Sequence, residues 1–493
     1  MVTLSEANNK GKLALKAGIW YVISSVMVKA IGVLTTPIFT RLLTTEQYGT
    51  VQTFISWQSL LIPFFTLNLP YSIGRAKLDF PDRLEEYSGA MQMLSMLVSA
   101  VLVGVVTVLL GTFSSLFELT KTETLLLMAY LFFTPTINLH QNKYKYTYRY
   151  KLNIAIAWYM AVGSTLVSLV MVWLAPAEQK GLMRILGMTL SHVALALFLW
   201  GRSLKKRTLK GNTAYWKYAL KISVPLVFHT VCMHVLSQSD RIFITKIWGK
   251  TDTAFYSLAY TYGMALHALT TAAAEGWLPW FHDTYYAGGQ AEIRQKVKPM
   301  VLLGCFVGLA CVALAPEAVL LLGGKKYAHS TPCVPPVVMG VVCQYIYTHY
   351  VNIELHLKKT IYVSVGTMIA AGLNILLNAI FIPVYGFVAA AYTTLASYFV
   401  LMIIHFLITR LILKVRLYDD LFMFGVMIVT ALISLGLTQL YAARTVRYVI
   451  TAVGFALFLY CFRDYIGTWI RKIRKKMGGK EKTAAGFGND KEK

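Results

Sequence analysis

The sequence predicts an all-α polytopic membrane protein of about fourteen transmembrane helices, and three observations carry that prediction. Hydrophobic types make up 57% of the 493 residues, and charged types only 14%. Soluble globular domains average roughly 25% charged residues, so much of this surface must face lipid. Apolar windows of about 20 residues, enough to cross a hydrocarbon core of roughly 30 Å, recur along the chain. Finally, 30 Tyr and 10 Trp supply the rings that settle at the two headgroup belts.

The expected spans run in order as 14–39, 51–73, 90–110, 125–139, 152–174 and 185–200, then 218–237, 254–277, 300–322, 334–357, 361–382 and 386–409. Two more, 421–441 and 448–470, close the series. The fourth is short and carries Thr134-Pro135-Thr136, so its limits are the least defined. The polar start, Met1 to Gly11, leads into the first apolar run without a small-residue cleavage site, and that run is expected to stay as the first span.

Lys and Arg in short loops are retained on the cytoplasmic side, which orients the bundle. Lys10, Lys12, Arg75, Lys77, Arg83, Lys143, Lys145, Arg149 and Lys151 fall on one side, as do Arg202, Lys205, Lys206, Arg207 and Lys210. Arg294, Lys296, Lys298, Lys358, Lys359, Arg410, Lys414, Arg416 and the tail from Arg471 to Lys476 join them. Opposite loops hold fewer cations, chiefly Arg41, Lys121, Lys180, Lys325, Lys326, Arg444 and Arg447. An even number of spans with both termini cytoplasmic is the simple topology that fits. The same rule accounts for the formal charge of +25, from 47 Lys and Arg against 22 Asp and Glu. No soluble stretch is long enough to gather those cations onto a nucleic-acid-binding face.

Six cysteines, Cys232, Cys305, Cys311, Cys333, Cys343 and Cys461, lie in apolar stretches without a CxxC pair. They indicate neither a zinc site nor a disulfide scaffold, and no metal or cofactor is expected. No P-loop, GxSxG, HExxH or paired-carboxylate segment occurs in a loop, so the chain is not expected to be an enzyme. Loops of about 20 residues or fewer cannot form a domain with its own core. Function must lie inside the bundle.

The segment from Lys16 to Tyr48 resembles that from Lys221 to Tyr256: a basic start, a long helix, a polar exit, a short turn and a small-aromatic opening of the next helix. Two parallel halves would follow, an arrangement in which transporters place the substrate path between repeats near the midplane. The expected organisation is a first lobe over 1–210, a second over 211–415, two additional helices over 416–470 and a solvated basic tail over 471–493.

Several polar residues sit inside these spans. Lys29 lies near the middle of the first, where a charge costs roughly 2.5 to 3.5 kcal/mol on insertion scales. At 100° per residue, Gly18, Ser25, Lys29, Thr36 and Thr40 share a face that lines either a wet cavity for an anion or a contact with a structural carboxylate. In the seventh span Pro225, His229, Met233, Leu236 and Asp240 share a face, with His234 elsewhere. His229 has the chemistry for proton coupling and, equally, for a packed hydrogen-bonded role. Asp240-Arg241 suggests a local or inter-helix ion pair and a gate. Glu354 has Lys358 four residues on, the favourable helical spacing. Glu275, beside Met264, Ala268 and Thr271 on its helix, lacks such a partner and is a candidate for a proton or sodium site. Arg75, Arg149 and Lys221 lie near cytoplasmic ends, where they either snorkel or form a basic entrance for phosphate.

Three strings then point to a family. Thr40 to Gly49, TRLLTTEQYG, resembles the signature after the first helix of Wzx-type oligosaccharide flippases. Asn374-Ile375-Leu376-Leu377-Asn378, Ile382-Pro383-Val384-Tyr385-Gly386, Ala389-Ala390-Ala391 and Thr393-Thr394 resemble that family's pattern between helices eleven and twelve. Asp240-Arg241 followed by Phe255-Tyr256-Ser257 is similar to its seventh-helix exit. Thr44-Thr45 stands where Gly-Pro is usual and Ala389 where Gly is usual. The resemblance extends to the superfamily that holds MATE drug exporters and the lipid II flippase MurJ. It implies a two-lobed alternating-access exporter in the bacterial inner membrane, moving a polyprenyl-diphosphate-linked oligosaccharide for O-antigen, capsule or exopolysaccharide synthesis. Membrane lipid, a polymerase and other glycan-assembly proteins would be its partners, and a H+ or Na+ gradient or the potential would drive it. The rivals are a MATE-type drug exporter, which should want acidic cavity residues, and a membrane polysaccharide polymerase or ligase, which should carry a large arginine-bearing outer loop. A scaffold for glycan-assembly proteins is a third.

Overall fold

The computed structural model describes residues 4–205, 211–460 and 462–463. Lys206, Arg207 and Lys210, Cys461, the end of the last expected span and the expected tail lie outside the described residues. Every regular element described is helical, as the composition required.

Local chemistry sets the helix ends. α1 (Leu4–Leu42) stops at a two-residue turn from which α2 (Thr45–Thr66) starts. Thr44 caps α2: its hydroxyl accepts from Gln47 N, while Gln47 Oε1 accepts from Thr44 N, each at 3.1 Å. The Thr at this departure from the family pattern therefore does specific work. The second expected span, 51–73, is not continuous. Leu67 and Asn68 adopt left-handed backbone (φ 45° and 51°), and Pro70 follows at the start of α3 (Leu69–Asp79). Buried Asn68 is held there by a 2.8 Å bond from its amide to Thr230 Oγ1.

α4 (Leu84–Val108) and α5 (Leu110–Phe117) follow, then α6 (Lys121–Tyr146), which keeps Pro135 inside one long helix and extends well beyond the short span expected. α7 (Tyr150–Trp158) and α8 (Ser164–Leu174) are joined by a π-helical turn, Tyr159–Gly163. α9 is Lys180–Lys205. α10 (Thr213–Trp248) and α11 (Lys250–Tyr286) are long and meet at Gly249, whose φ of 92° suits glycine. The chain continues through α12 (Gln290–Ala313), α13 (Ala315–Gly323), α14 (Val334–His356), α15 (Thr360–Tyr385) and α16 (Phe387–Leu407). α17 (Asp420–Gln439) and α18 (444–460) complete the described part.

Among the described residues, nine helices are long and apolar enough to cross a membrane. The long helices α2, α6, α11 and α14 fall short of that composition, for a physical reason. α2 packs on α6, α10 and α11, and α14 packs on α11, α12 and α16. A helix surrounded by protein need not be apolar on every face, because neighbouring side chains satisfy its polar groups.

α4, α6, α9 and α8 pack each on the next on one side, and α12, α14, α16 and α15 on the other. α1, α2, α10 and α11 form the seam, α1 touching both α7 and α11. One end of the seam is sealed. Thr40 Oγ1 donates to Leu322 O (2.5 Å), Lys326 Nζ to Leu43 O (2.7 Å), and Thr53, Thr245 and Thr253 form a hydroxyl chain at 2.8 Å per link. The other end carries the basic loops, with Lys143 paired to Glu85 and Arg75 to Asp79.

Candidate functional site

Between the sealed end and the middle of the seam lies a cavity of about 450 Å³. α1 contributes Lys29, Gly32 and Thr36, α2 contributes Gln52, α9 contributes Arg184, and α10 and α11 contribute Arg241 and Thr261. Three cations line this hollow and no carboxylate does. Each would cost several kcal/mol in hydrocarbon, so placing three together without an acid makes sense only where an anion or water completes them.

The three are held differently. Arg241, 5% exposed, donates from Nε to Ser257 Oγ (3.0 Å) and from Nη1 to Ser237 O and Gln238 Oε1 (3.1 and 2.9 Å), and its guanidinium lies 4.4 Å from the Tyr260 ring centroid. Arg184 stacks over Phe39 at 3.7 Å, and its buried Nη1 has no hydrogen-bond partner. Lys29 makes no ion pair among the described residues. Fixed guanidinium planes beside an ammonium without an ion-pair partner suit a multi-oxygen anion.

The expected polar face of α1 changes character along its length. Gly18 and Ser25 are exposed, Lys29 and Thr36 line the cavity, and Thr40 is buried in the seal. Sequence reasoning missed Arg184. Its signal was an arginine just inside an apolar run at the end otherwise poor in cations.

Asp240 does not pair with Arg241. Successive helical residues point about 100° apart, and the two side chains accordingly enter different surroundings. Fully buried Asp240 accepts hydrogen bonds from Asn378 Nδ2 (2.7 Å), Thr394 Oγ1 (2.6 Å) and the Tyr256 hydroxyl. Ser239, Asn374 and Thr393 extend the network, with Ser239 Oγ donating to Asn374 Oδ1 at 2.8 Å and Thr393 bonded to Asn378. Two of the three family strings, far apart in the chain, thus converge on one carboxylate.

Glu275 lines a second hollow of about 160 Å³ with His267, Thr271, Gln344, Tyr345 and Asn352. A small void bordered by Tyr260, Met264 and Gln344 lies between this hollow and the cation cavity, so the three follow one another along α11. His229 is half-buried on α10, outside both hollows, and its Nδ1 has no partner. Arg75 is at the basic end, where Asp79 also accepts from Tyr218; those bonds hold the Asp79 carboxyl below its usual range, Tyr218 first and Arg75 second. Arg149 precedes α7 at that end and Lys221 is exposed on α10, neither of them at the cavity. Glu354 does not pair with Lys358. α14 ends at His356 and Lys358 is left-handed (φ 59°), so the helical spacing is lost, and Glu354 Oε1 meets His405 Nδ1 at 2.8 Å instead.

Among solved structures, the fold is similar to a lipid II flippase MurJ in an inward closed conformation, with a TM-score of 0.71 at 12% identity over 91% of this chain and 100% of that one. It is also similar to a multidrug resistance MATE family transporter of the MOP superfamily. For its inward-facing form the TM-score is 0.60 at 12% identity, over 82% of this chain and 98% of that one. For the outward-facing form it is 0.55 at 13% identity, over 81% and 96%. At these identities the likeness establishes the fold alone. No curated protein matches the sequence. A family model described as polysaccharide biosynthesis protein matches residues 14–285, more than half of the chain, and on that match the chain belongs to the polysaccharide biosynthesis protein family.

Proposed function

We propose that this protein is a flippase that moves a polyprenyl-diphosphate-linked oligosaccharide repeat unit across the bacterial inner membrane by alternating access. The observation that carries the reading is the cavity lined by Lys29, Arg184 and Arg241 without a carboxylate. A diphosphate presents several anionic oxygens, and these cations would replace its water shell. The hollow along α11, with Glu275, Gln344, Thr271 and Asn352, offers hydrogen-bonding groups suited to sugar hydroxyls. A lipid tail would stay outside in the bilayer. Family membership and the MurJ-like fold support a lipid-linked substrate.

The halves 1–210 and 211–415 would act as the rocking lobes, sealed at the end that the positive-inside rule places outside the cell. Both termini would then be cytoplasmic. Asp240, surrounded by neutral oxygens and an amide, is the best-built coupling site for H+ or Na+, since a buried carboxylate with oxygen neighbours gains most from a small hard cation. His229, Glu275 and Arg241 remain candidates for coupling or gating. A cation-lined cavity disfavours the MATE-type exporter of cationic drugs by direct repulsion.

The test is deletion of the gene, with carrier-linked oligosaccharide probed by impermeant lectin or periodate on spheroplasts and opened vesicles. Complete units that accumulate out of reach of the probe establish flipping, and Lys29→Arg should restore transport where Lys29→Ala does not. Accessible single units that fail to lengthen would indicate a polymerase instead, and no glycan phenotype would indicate the drug exporter.

A further inference from the structure

A second arginine-lined cavity lies apart from the seam. At the basic end, where α12, α16 and the start of α17 meet, a hollow of about 550 Å³ is bordered by Arg294, Arg410, Arg416, Tyr418 and Asp420. It shares no lining residue with the hollows along α11. We propose that this cavity binds the phosphodiester headgroup of an anionic lipid of the leaflet at the basic end.

Three features carry the assignment. The first is charge. Arg410 is the built part of the site: Nη1 donates to Val415 O (3.0 Å), Nη2 donates to Tyr418 O (2.7 Å) and pairs with Asp420 Oδ2 (2.5 Å), and buried Nε has no partner. Asp420 answers one of the three guanidiniums, whereas Arg294 and Arg416 are exposed and have no ion-pair partner among the described residues. The nearby Asp419 is taken by Lys298 Nζ at 2.7 Å and by Phe422 N, which hold its carboxyl below the usual range. Arg294 shares Asp419 through space with Lys298, so around this hollow Arg416 has no carboxylate and Arg294 only a shared one.

The second feature is backbone. Arg410 sits in a π-helical turn, Ile408–Ile412, at the end of α16, and Lys414 follows with φ 55°. Such turns widen a helix end and are frequent at functional sites. The third is the flanking surface. Leu411 (67% exposed), Ile412 (52%) and Leu421 (86%) stand beside the arginines, an apolar surface that acyl chains would cover below a bound headgroup. Basic pockets between helices at the cytoplasmic face recognise anionic headgroups by this combination of charge and adjacent lipid contact. A soluble phosphate would use the arginines and leave the leucines unexplained.

Native mass spectrometry of the full chain, released from micelles doped with phosphatidylglycerol or with phosphatidylcholine, tests this directly. Phosphatidylglycerol should be retained as a bound lipid and raise the thermal midpoint, while phosphatidylcholine does neither. The double change Arg294→Gln with Arg416→Gln should weaken retention by roughly a hundredfold, since each of the two lost charge-assisted contacts is worth about tenfold. Arg294→Lys with Arg416→Lys, which keeps the charge, should restore most of it, and Lys359→Gln at the same end should change nothing. Retention in the Gln variant equal to the parent overturns the proposal. So does inorganic phosphate that stabilises the parent as well as the lipid, or displaces it, because the ligand would then be a soluble anion. Neither arginine lies at the seam, so the result is independent of whether the protein flips a glycan.

Discussion

Gly49 on α2 lies against the backbone of Lys250, the first residue of α11: a Cβ at position 49 would fall 1.8 Å from the Lys250 carbonyl oxygen and 2.5 Å from its carbon. Backbone, unlike a flexible side chain, cannot swing away. Gly49→Ala must push the two helices apart at the sealed end, and overpacking of this kind costs about 1 to 3 kcal/mol. The sealed state should lose population by roughly 5- to 150-fold relative to the opposite state. The readout is disulfide yield between Thr53→Cys and Thr245→Cys, whose hydroxyls are 2.8 Å apart in the parent. A yield that Gly49→Ala leaves unchanged would show that this contact does not hold the seal.

Arg184 separates an anion site built on the whole cavity from one built on Lys29 alone. Its buried Nη1 has no protein partner, so Arg184→Gln removes an uncompensated charge and should leave the thermal midpoint unchanged or slightly raised. Transport should fall by about tenfold or more, the value of one charge-assisted contact to an anion. Arg184→Lys should recover part of it, without the planar fork. Full transport by Arg184→Gln would remove Arg184 from the substrate path.

Lys29 was legible in the sequence because a lysine in mid-span has few explanations. Arg241 was visible as a motif residue, but its partner was misjudged, since adjacency in sequence suggested an ion pair that helix geometry forbids. Arg184 was passed over because it borders a loop, where an arginine ordinarily snorkels, and only the fold brings it opposite Lys29. The network around Asp240 was likewise invisible: its members fall in two stretches, 239–256 and 374–394, more than a hundred residues apart, and each alone resembles a family marker. The helical architecture was the easiest part, because a hydrocarbon solvent permits so few alternatives. The break at Leu67 and Asn68 was not, as only Pro70 hinted at it.

Asp240→Asn keeps the shape and one acceptor oxygen for both Thr394 and Tyr256, which share Oδ2, while removing the charge and turning an amide toward Asn378 Nδ2. It should cost no more than about 1 to 3 kcal/mol in stability, because one donor of the network then faces an amide. Transport measured against imposed proton and sodium gradients is the informative readout. The parent should respond to one of them, and Asp240→Asn to neither, while substrate still binds. A variant that keeps the parent's gradient response would make Asp240 a purely structural carboxylate.

Glu354 and His405 form a pair buried between α14 and α16, 0% and 1% exposed, with Tyr347 stacked on the imidazole at 5.6 Å. Glu354 Oε2 and His405 Nε2 have no partners, so the pair is poorly compensated for its burial. Removing one member strands the other: Glu354→Leu or His405→Phe alone should lower stability by about 3 to 5 kcal/mol. Replacing both at once deletes the polar groups together and should be close to neutral, or stabilising by about 1 to 4 kcal/mol. Thermal unfolding of the four proteins in one detergent completes the cycle. If the double change costs the sum of the single ones, the two residues act independently and the pair contributes nothing as a unit. If the double variant is stable yet fails to transport, the pair is retained for the conformational cycle and not for the fold.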